Sequence, residues 1–374
     1  MFQGEKRLQQ TIESNRTILV DGPASVKLVS GRSEVFGCQV KPSQKVVVRE
    51  GKRLPFLAFE KAVFDISLGP NAAMHETDGS TIPDSWSKPL ESILAVQKRP
   101  SVVLVLGKID SGKSSYCTYL VNKLVDGKCR LDGKCRVAVL DGDLGQSDIG
   151  PSGTLSYALA SKPVTELYDL KLENANFVGV TSPIMAIVKT IEGVAVLKAE
   201  ILQRPVDFVV VNTDGWVEGD IAIQYKTALI KELTPDVIVG VQATDELKAL
   251  IANIGQPVLT VELSSSLSPR TAEKRKGLRE MTYARYLKDA KLQNYPVTQV
   301  TIEPRGALPK NLTPDKGLLV GLYGSGSKFL GIGVLREINQ LRRALKVQTA
   351  VSTKPSRIVV GKVCLDEKLR EIQD

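Results

Sequence analysis

Histidine is almost absent from this sequence, and cysteine is scarce. The 374 residues contain one histidine, His75, in a loop-like stretch, so we assign acid–base chemistry to carboxylates and not to an imidazole. The five cysteines are an odd number without a Cys-x-x-Cys pair, which indicates neither a disulfide framework nor a zinc knuckle. Cys129 and Cys135 each follow an Asp-Gly turn, and we interpret both as incidental.

Long hydrophobic runs are also missing. No apolar stretch approaches the ~20 residues of a membrane span, and residues 1–15 are polar, without the apolar region of a signal peptide. We therefore expect no membrane association and an intracellular, cytoplasmic protein. Hydrophobic residues make up 43% and charged residues 24%, which favours a globular class, and the length suffices for two or three domains.

Positive charge is in excess and unevenly distributed. The 50 basic and 41 acidic residues leave a net charge of +9, and a basic balance suggests a polyanionic partner. Residues 268–291 alone have a net charge of +5, which is more than half of the total. The basic residues of this segment are Arg270, Lys274, Arg275, Lys276, Arg279, Arg285, Lys288 and Lys291.

A complete P-loop pattern stands near the middle of the chain. The apolar run 101–106 is typical of a buried parallel strand, and apolar residues recur at helical spacing after Lys113. The strand, the glycine loop and the helix therefore follow one another in the order that the motif requires. The loop consists of Gly107, Lys108, Ile109, Asp110, Ser111, Gly112, Lys113, Ser114 and Ser115.

The chemistry of phosphate binding explains these residue types. Gly107 and Gly112 allow the backbone to curl so that successive N–H groups point at phosphate oxygens. The N-terminus of the following helix adds partial positive charge. Lys113 reaches the β- and γ-phosphates, and Ser114 offers its hydroxyl to Mg²⁺. The motif predicts that the protein binds a nucleoside triphosphate.

Three regions differ in their predicted secondary structure. Residues 1–97 predict a small all-β domain, residues 98–292 an α/β P-loop core with a parallel sheet, and residues 293–374 a small, mostly β domain. In such a core, ligands lie at the carboxyl ends of the strands. The predicted core strands are 102–106, 136–141, 176–180, 207–211, 236–241 and 257–261, and the predicted helices are 113–125, 184–201, 219–232, 244–252 and a long basic helix after Pro269.

In the two outer regions, 1–97 and 293–374, short β-branched runs predict the strands. Residues 71–98 contain Pro83 and Pro89, are followed by Pro100, and predict a linker into the P-loop strand. The predicted N-terminal strands are 16–20, 26–30, 34–40, 45–49 and 62–68, and the predicted C-terminal strands are 297–302, 317–322, 328–334, 350–351 and 357–363.

Two carboxylates follow the second predicted core strand. Asp141 and Asp143 are separated by one glycine, so their side chains should point in different directions. One could hold Mg²⁺ and the other accept a substrate proton. The alternative is an ordinary turn at the end of a strand, where Asp-Gly is common.

Two further strand ends carry polar or aromatic residues. Thr181, in Thr-Ser-Pro, could contact a phosphate or a ribose, or it could belong to an ordinary helix cap. Trp216, in Asn-Thr-Asp-Gly-Trp, could stack on a base, or it could cover the core beside the helix predicted at 219–232. The residues alone slightly favour the core position for Trp216.

The basic segment begins with Ser-Pro-Arg, a good helix start. Arg270 then lies at the unfavourable end of the helix dipole, which suggests a functional role. Arg275 and Arg279 are four residues apart and share a helix face. They could form an arginine lid over the phosphates, or the helix could simply present a solvated charged surface.

Together these landmarks resemble the polynucleotide 5′-hydroxyl kinase family that includes the kinase subunit of the eukaryotic pre-mRNA cleavage complex. The compact length is similar to that of its archaeal branch, and the three-domain layout is similar over the whole chain. The matching residues are the loop 107–115, Asp143 to Gln146, Thr181 to Pro183, Asn212 to Trp216, and the arginines at 270, 275 and 279.

The resemblance implies a role for each matching residue. Lys113 and Ser114 would hold ATP and Mg²⁺ or another divalent cation, and Asp143 would orient or deprotonate the 5′-hydroxyl. Asp141 ranks below Asp143 as a metal ligand, because the family does not always have Asp there. Substrate contacts would come from Gln146, Thr181, Trp216 and Arg270, and the lid from Arg275 and Arg279.

The expected function is an ATP-dependent kinase that phosphorylates the 5′-hydroxyl of RNA, with DNA as a further substrate left open. One alternative is an NTPase switch that transfers phosphate only to water, although no Asn-Lys-x-Asp guanine-reading tetrad occurs. Another is a non-catalytic, ATP-bound scaffold for RNA processing. We expect protein partners to bind through the N- and C-terminal domains.

Overall fold

The structure is a computed structural model that describes residues 6–127, 135–304, 316–339 and 341–372. The chain divides into two compact units. The first contains Met1–Val139, Leu159–Leu170 and Arg204–Lys274, and the second contains Leu140–Ala158, Lys171–Gln203 and Arg275–Asp374. No helix in the described ranges is long and apolar enough to cross a membrane.

Short antiparallel strands fill the N-terminal part of the first unit. They form one sheet in the order β1-β8-β3-β6 and another in the order β5-β4-β7-β2-β9. Buried and outward residues alternate along β8, because one face of its sheet is turned to the core. The strands are β1 (Lys6–Ile12), β2 (Arg16–Asp21), β3 (Ala24–Ser30), β4 (Ser33–Val35), β5 (Cys38–Val40), β6 (Lys45–Val48), β7 (Arg53–Ala58), β8 (Ala62–Leu68) and β9 (Met74–Asp78).

The all-β prediction for this region is confirmed, but two details were wrong. The single strand predicted at 34–40 is the hairpin β4–β5, because Phe36 and Gly37 turn the chain with positive φ values of 46° and 79°. Residues 71–98 are not an unstructured linker. They contain β9, which pairs with β2 through its backbone despite its polar sequence, and the amphipathic helix α1 (Lys88–Ala95). His75 therefore lies in a strand and not in a loop.

The central part of the chain alternates strands and helices. After α1 its elements are β10 (Ser101–Gly107), α2 (Lys113–Val125), β11 (Val137–Gly142), β12 (Thr154–Ala160), β13 (Leu172–Phe177), α3 (Ile187–Leu202), β14 (Phe208–Thr213), α4 (Asp220–Leu233), β15 (Val237–Val241), α5 (Lys248–Ile251), β16 (Val258–Val261) and α6 (Ala272–Tyr286).

Parallel strands form the centre of the first unit, in the order β14-β10-β15-β16. Every residue of β10, β14 and β15 is buried, which explains why continuous apolar runs predicted them. Val105 pairs with Asn212, and Gly107 pairs with Val241, so the carboxyl ends of these strands lie at one edge of the sheet. The chain passes from the first unit into the second within β11.

The second unit contains antiparallel strands that the sequence did not predict. β12 and β13 pair antiparallel, so the sheet is mixed. The strand predicted at 176–180 is β13, which ends at Phe177, and β12 was not predicted. The start of β13 was missed because the strand begins with the polar sequence Leu-Glu-Asn-Ala-Asn, which has no strong apolar periodicity.

The C-terminal region of the second unit is one sheet in the order β17-β21-β20-β19-β22-β18, with β23 paired to β22. A strand at 350–351 was wrong, since the chain pairs as β21 just before those residues. The strands are β17 (Lys291–Pro296), β18 (Thr301–Glu303), β19 (Gly317–Tyr323), β20 (Phe329–Asn339), β21 (Ala344–Thr349), β22 (Arg357–Leu365) and β23 (Glu371–Ile372).

The cysteines differ from expectation in one respect. Cys38, Cys117 and Cys364 form no disulfide, whereas Cys135 is disulfide-bonded. An odd cysteine count is compatible with one disulfide beside free thiols, so the count alone did not exclude it. Cys129 lies outside the described residues.

Candidate functional site

The predicted phosphate loop begins at Gly107, the last residue of β10, and extends into the first turn of α2, which starts at Lys113. Gly112 has φ 86°, a left-handed conformation that favours glycine, and a Cβ there would lie 2.9 Å from the Leu267 side chain. A Cβ on Gly107 would lie 2.5 Å from Ser111 Oγ and 2.7 Å from the Val241 carbonyl oxygen. Both glycines are therefore required by the backbone path of the loop.

Lys113 and Ser114 begin the helix that follows the loop. Lys113 is buried, and its Nζ donates a hydrogen bond of 2.7 Å to the carbonyl oxygen of Lys108, which belongs to the loop itself. Asn212, the penultimate residue of β14, donates from Nδ2 to Ser114 Oγ at 3.4 Å. Asn212 was not among the predicted site residues, although its place at a strand end could have indicated it.

Arg270 lies beside the loop. Its backbone N–H donates to Asp110 Oδ2 at 3.2 Å, and its guanidinium Nη1 lies 3.9 Å from Asp110 Oδ1. Lys108 points elsewhere and pairs at the surface with Glu218 at 2.7 Å. The predicted residue Arg270 therefore lies close to Asp110 of the phosphate loop, within the first unit.

Trp216 stands on the turn that follows β14. Its ring stacks on Tyr225 with a centroid distance of 5.7 Å and an interplanar angle of 23°. Trp216 is only half-buried, in contrast to the fully buried Trp86. A Cβ on Gly215 would lie 2.5 Å from the backbone nitrogen of Ile109, so this turn packs directly against the phosphate loop.

Asp214 and Lys226 beneath that turn were missed by the sequence reading. Lys226 Nζ lies 2.8 Å from Asp214 Oδ2, and both side chains are buried. The sequence did contain one indication of this pair, because Lys226 lies on the otherwise apolar face of α4.

The predicted carboxylates lie in the second unit and differ in environment. Asp141 is fully buried, and its Oδ2 accepts hydrogen bonds from Ser147 Oγ at 2.9 Å and from the Asp148 N–H at 2.7 Å. Burial, helped by the negative charges of Asp148 and Asp143, raises the pKa of Asp141 to about 7. Asp143 is only half-buried, and its Oδ1 accepts the N–H groups of residues 145 and 146.

Gln146 links several predicted residues of the second unit. Its Nε2 donates to the carbonyl oxygen of Arg275 at 3.1 Å, while its N–H donates to Asp143 Oδ1 at 2.9 Å. A Cβ on Gly145 would lie 2.8 Å from the carbonyl oxygen of Thr181. The structure therefore brings Asp143, Gln146, Thr181 and Arg275 together.

Arg279 has a different neighbourhood from Arg275. Its Nε and Nη2 form two hydrogen bonds of 2.6 Å to the Glu371 carboxylate of β23. Tyr283 donates to the same carboxylate at 3.1 Å. Glu371 lies 92 residues along the chain, so the sequence offered no local signal for this pair.

A glycine loop between a buried parallel strand and a helix, with polar residues at the neighbouring strand ends, defines the class of P-loop nucleotide-binding proteins. Within that class, residues 107–289 match the family described as mRNA cleavage and polyadenylation factor CLP1 P-loop. The resemblance inferred from the sequence is thereby confirmed.

Curated relatives carry related names. A polyribonucleotide 5′-hydroxyl-kinase of Methanocaldococcus jannaschii is 30% identical over 65% of this chain and 66% of its own length. A protein of the same name from Pyrococcus furiosus is 27% identical over 59% of this chain, which covers 60% of that relative's length. The solved complex of Clp1p with Pcf11p has a similar fold, with a TM-score of 0.74 at 14% identity over 96% of this chain and 97% of that one.

Proposed function

We propose that the protein is an ATP-dependent kinase that transfers the γ-phosphate of ATP to the 5′-hydroxyl of RNA. The observation that carries the proposal is the phosphate loop with Lys113 and Ser114 at the start of α2, in a chain similar to proteins named polyribonucleotide 5′-hydroxyl-kinase. An ATP-dependent enzyme works where ATP is supplied, so we propose a cytoplasmic location. Protein partners would bind through residues 1–97 and 293–374, the proposed terminal domains.

The nucleotide would be bound by the loop 107–115. Its backbone N–H groups would bind phosphate oxygens, and Lys113 would exchange its bond to the Lys108 carbonyl for the β- and γ-phosphates. The described residues contain no cluster of three or more acidic, histidine or cysteine side chains that could hold a metal ion. Mg²⁺ needs no such cluster, since it binds through one or two carboxylates together with waters and phosphates.

The oxygen atoms of Ser114, Asp143 and Asp141 suit Mg²⁺ or another divalent cation, which would neutralise phosphate charge. We rank Asp143 above Asp141. Asp143 is half-buried, whereas the Oδ2 of Asp141 is occupied by hydrogen bonds from residues 147 and 148. Asp143 would also accept the proton of the 5′-hydroxyl, a role that requires an accessible carboxylate.

The terminal nucleotide would be held by polar and aromatic side chains. Trp216 keeps part of its surface exposed beside the phosphate loop, which supports stacking on a base. Thr181 and Gln146 lie beside Asp143, and Arg270 lies beside Asp110. We propose these four residues as the substrate contacts.

Arg275 and Arg279 are proposed to stabilise the charge of the transferring phosphate, a contact worth ~10³–10⁵ in rate. Arg275 suits the role because its backbone is tied through Gln146 to the Asp143 turn. For Arg279 the role requires that its guanidinium leave Glu371.

The decisive experiment incubates the protein with γ-labelled ATP, Mg²⁺ and a 5′-hydroxyl RNA oligonucleotide, beside the same oligonucleotide carrying a 5′-phosphate. We expect label only on the 5′-hydroxyl oligonucleotide. Label on neither would overturn the kinase proposal. Release of labelled inorganic phosphate would then indicate an NTPase switch, and ATP binding without release would indicate a scaffold.

Two pairs of variants test the proposed roles of individual residues. Lys113→Ala should remove most phosphoryl transfer, whereas Lys108→Ala should keep it, because the Lys108 side chain pairs with Glu218 at the surface.

Asp143→Asn should bind ATP yet lose phosphoryl transfer, because an amide cannot accept the hydroxyl proton. Asp141→Asn should lose less, and the reverse order would mean that the two carboxylates are wrongly assigned.

A further inference from the structure

A fully buried lysine lies under the turn that carries Trp216. Lys226 belongs to α4, where its neighbours on the same face are apolar, and its side chain is 0% exposed. Its ammonium donates to Asp214 Oδ2 at 2.8 Å and to the Asp214 carbonyl oxygen at 2.9 Å. The Asp214 side chain is itself only 6% exposed. A complete ion pair has therefore been taken out of water.

Such a pair is a weak source of stability. Removing two charges from water costs several kcal/mol per ion, and well-packed apolar residues in the same place are often at least as stable. A buried pair is therefore better explained by the geometry that it imposes than by the stability that it adds. The question is which groups the pair holds in place.

The Asp214 carboxylate fixes the path of the chain to Trp216. Its Oδ2 also accepts a hydrogen bond from Tyr225 OH at 2.9 Å, and its Oδ1 accepts the backbone N–H of Trp216 at 3.0 Å. Tyr225 is in turn the residue on which the Trp216 ring stacks. One carboxylate thus sets both the backbone of Trp216 and the aromatic surface beneath its ring.

The same turn touches the phosphate loop. Gly215 approaches the backbone of Ile109 so closely that no Cβ would fit between them. Thr213 adds a hydrogen bond of 2.8 Å from Oγ1 to the Val105 carbonyl oxygen of β10. The turn is therefore held from below by Lys226 and packed from the side against the loop.

We infer that Asp214 and Lys226 are positioning residues that hold Trp216 at the orientation needed to stack on the terminal nucleotide of the acceptor strand. The inference rests on the proposed kinase function for its substrate. Neither residue needs to touch ATP or RNA, since both act through the turn.

Two matched double variants test this inference. Asp214→Ala with Lys226→Met removes the pair and the acceptor of the Trp216 N–H, whereas Asp214→Asn with Lys226→Met keeps an oxygen for that N–H. Loss of base stacking predicts that the alanine variant raises KM for the 5′-hydroxyl oligonucleotide about tenfold, with kcat within about threefold. The asparagine variant keeps the acceptor but not the ion pair, so it should recover only part of that affinity. Equal KM values in both variants, or no change in either, would overturn the inference.

A second measurement does not depend on kinase activity. Trp86 is fully buried, so quenching of tryptophan fluorescence by acrylamide reports mainly on Trp216. We expect stronger quenching in the alanine variant than in wild type and in the asparagine variant, and unchanged quenching would contradict the positioning role. If wild type transfers no phosphate, the proposed function fails while this measurement still tests the geometry.

Tyr225→Phe supplies a mild change for the case in which the alanine variant does not fold. It removes one hydroxyl from the Asp214 carboxylate and leaves Lys226 in place. We expect a smaller rise in KM and a smaller increase in quenching. Wild-type values of both in this variant would overturn the inference.

Discussion

Gly215 is the residue at which the phosphate loop meets the turn after β14. A Cβ there would lie 2.5 Å from Ile109 N and 2.6 Å from Ile109 Cα, and both are backbone atoms that have no rotamer freedom. Gly215→Ala should therefore displace the loop and lower the affinity for ATP about tenfold, because such overpacking costs ~1–3 kcal/mol. Isothermal titration calorimetry with ATP measures the loss.

Gly255→Ala is the matched control for this change. An added Cβ at Gly255 would meet no atom within 4 Å, so its ATP affinity should equal that of wild type. Equal affinities in both alanine variants would mean that the turn does not restrain the loop.

Asp141 predicts a specific dependence of stability on pH. Burial raises its pKa from 3.8 to about 7, so the folded chain holds this proton more tightly than the unfolded chain does. The contribution of Asp141 to stability is therefore full below the unfolded pKa. It is lost as the pH rises through the folded pKa, because the buried carboxylate must then carry its charge.

In Mg²⁺-free buffer with a chelator, the melting temperature of wild type should fall relative to that of Asp141→Asn between about pH 5 and pH 8. Other carboxylates titrate in both proteins and cancel in the comparison. Melting curves followed by circular dichroism across this range make the measurement. Parallel curves for the two proteins would mean that Asp141 titrates in its ordinary range.

At the scale of elements, α6 is attached to the loop after β11 along most of its length. Gln146 binds the carbonyl oxygen of Arg275, Thr282 Oγ1 accepts the N–H of Ser152 at 3.1 Å, and Tyr286 OH donates to the carbonyl oxygen of Ile149 at 2.6 Å. The helix predicted as a lid is therefore connected to the segment that holds Asp141 and Asp143.

The pair Arg279–Glu371 predicts a coupled loss of stability. Arg279→Gln and Glu371→Gln should each lower the free energy of unfolding by about 2 kcal/mol, the range for hydrogen bonds to charged groups. The double variant should lose little more, because both changes break the same contact. Urea unfolding measures the cycle, and Arg285→Gln on the exposed face of α6 should change little.

Measurements of kcat for variants of Arg279 and Glu371 separate two possible roles of Arg279. If its guanidinium acts at the phosphate, Arg279→Lys lowers kcat because lysine lacks the bidentate fork, whereas Glu371→Gln leaves kcat unchanged. If Arg279 serves only to hold β23, both variants lose stability and neither changes kcat. The second result would leave the arginine lid to Arg275 alone.

At the scale of the whole molecule, a ligand that binds only the folded chain stabilises all of it. ATP with Mg²⁺ at about a hundredfold excess over its Kd should raise the free energy of unfolding by ~2.7 kcal/mol and shift the melting temperature upward by a few degrees. Lys113→Ala should lose most of this shift, while Lys108→Ala keeps it. A wild-type melting temperature that is the same with and without ATP would contradict the proposed nucleotide site.

Much of the α/β core could be predicted from the sequence because its signals are local. The phosphate loop needs only consecutive residues from Gly107 to Ser115, and β10, β14 and β15 each contain a continuous apolar run typical of a buried strand. These features also carried the family resemblance, which residues 107–289 confirm. The three-domain division and the roles of the individual site residues stay predictions.

Tertiary structure alone decided which distant groups meet. The antiparallel pairing of β12 with β13, the edge strand β9, the Lys226–Asp214 pair under Trp216 and the Glu371 partner of Arg279 all depend on segments that are brought together only by folding. The raised pKa of Asp141 depends likewise on burial, which no sequence pattern around it expresses. Residue type and spacing determine what a short segment can form, whereas the partner and the exposure of each side chain are properties of the packed chain.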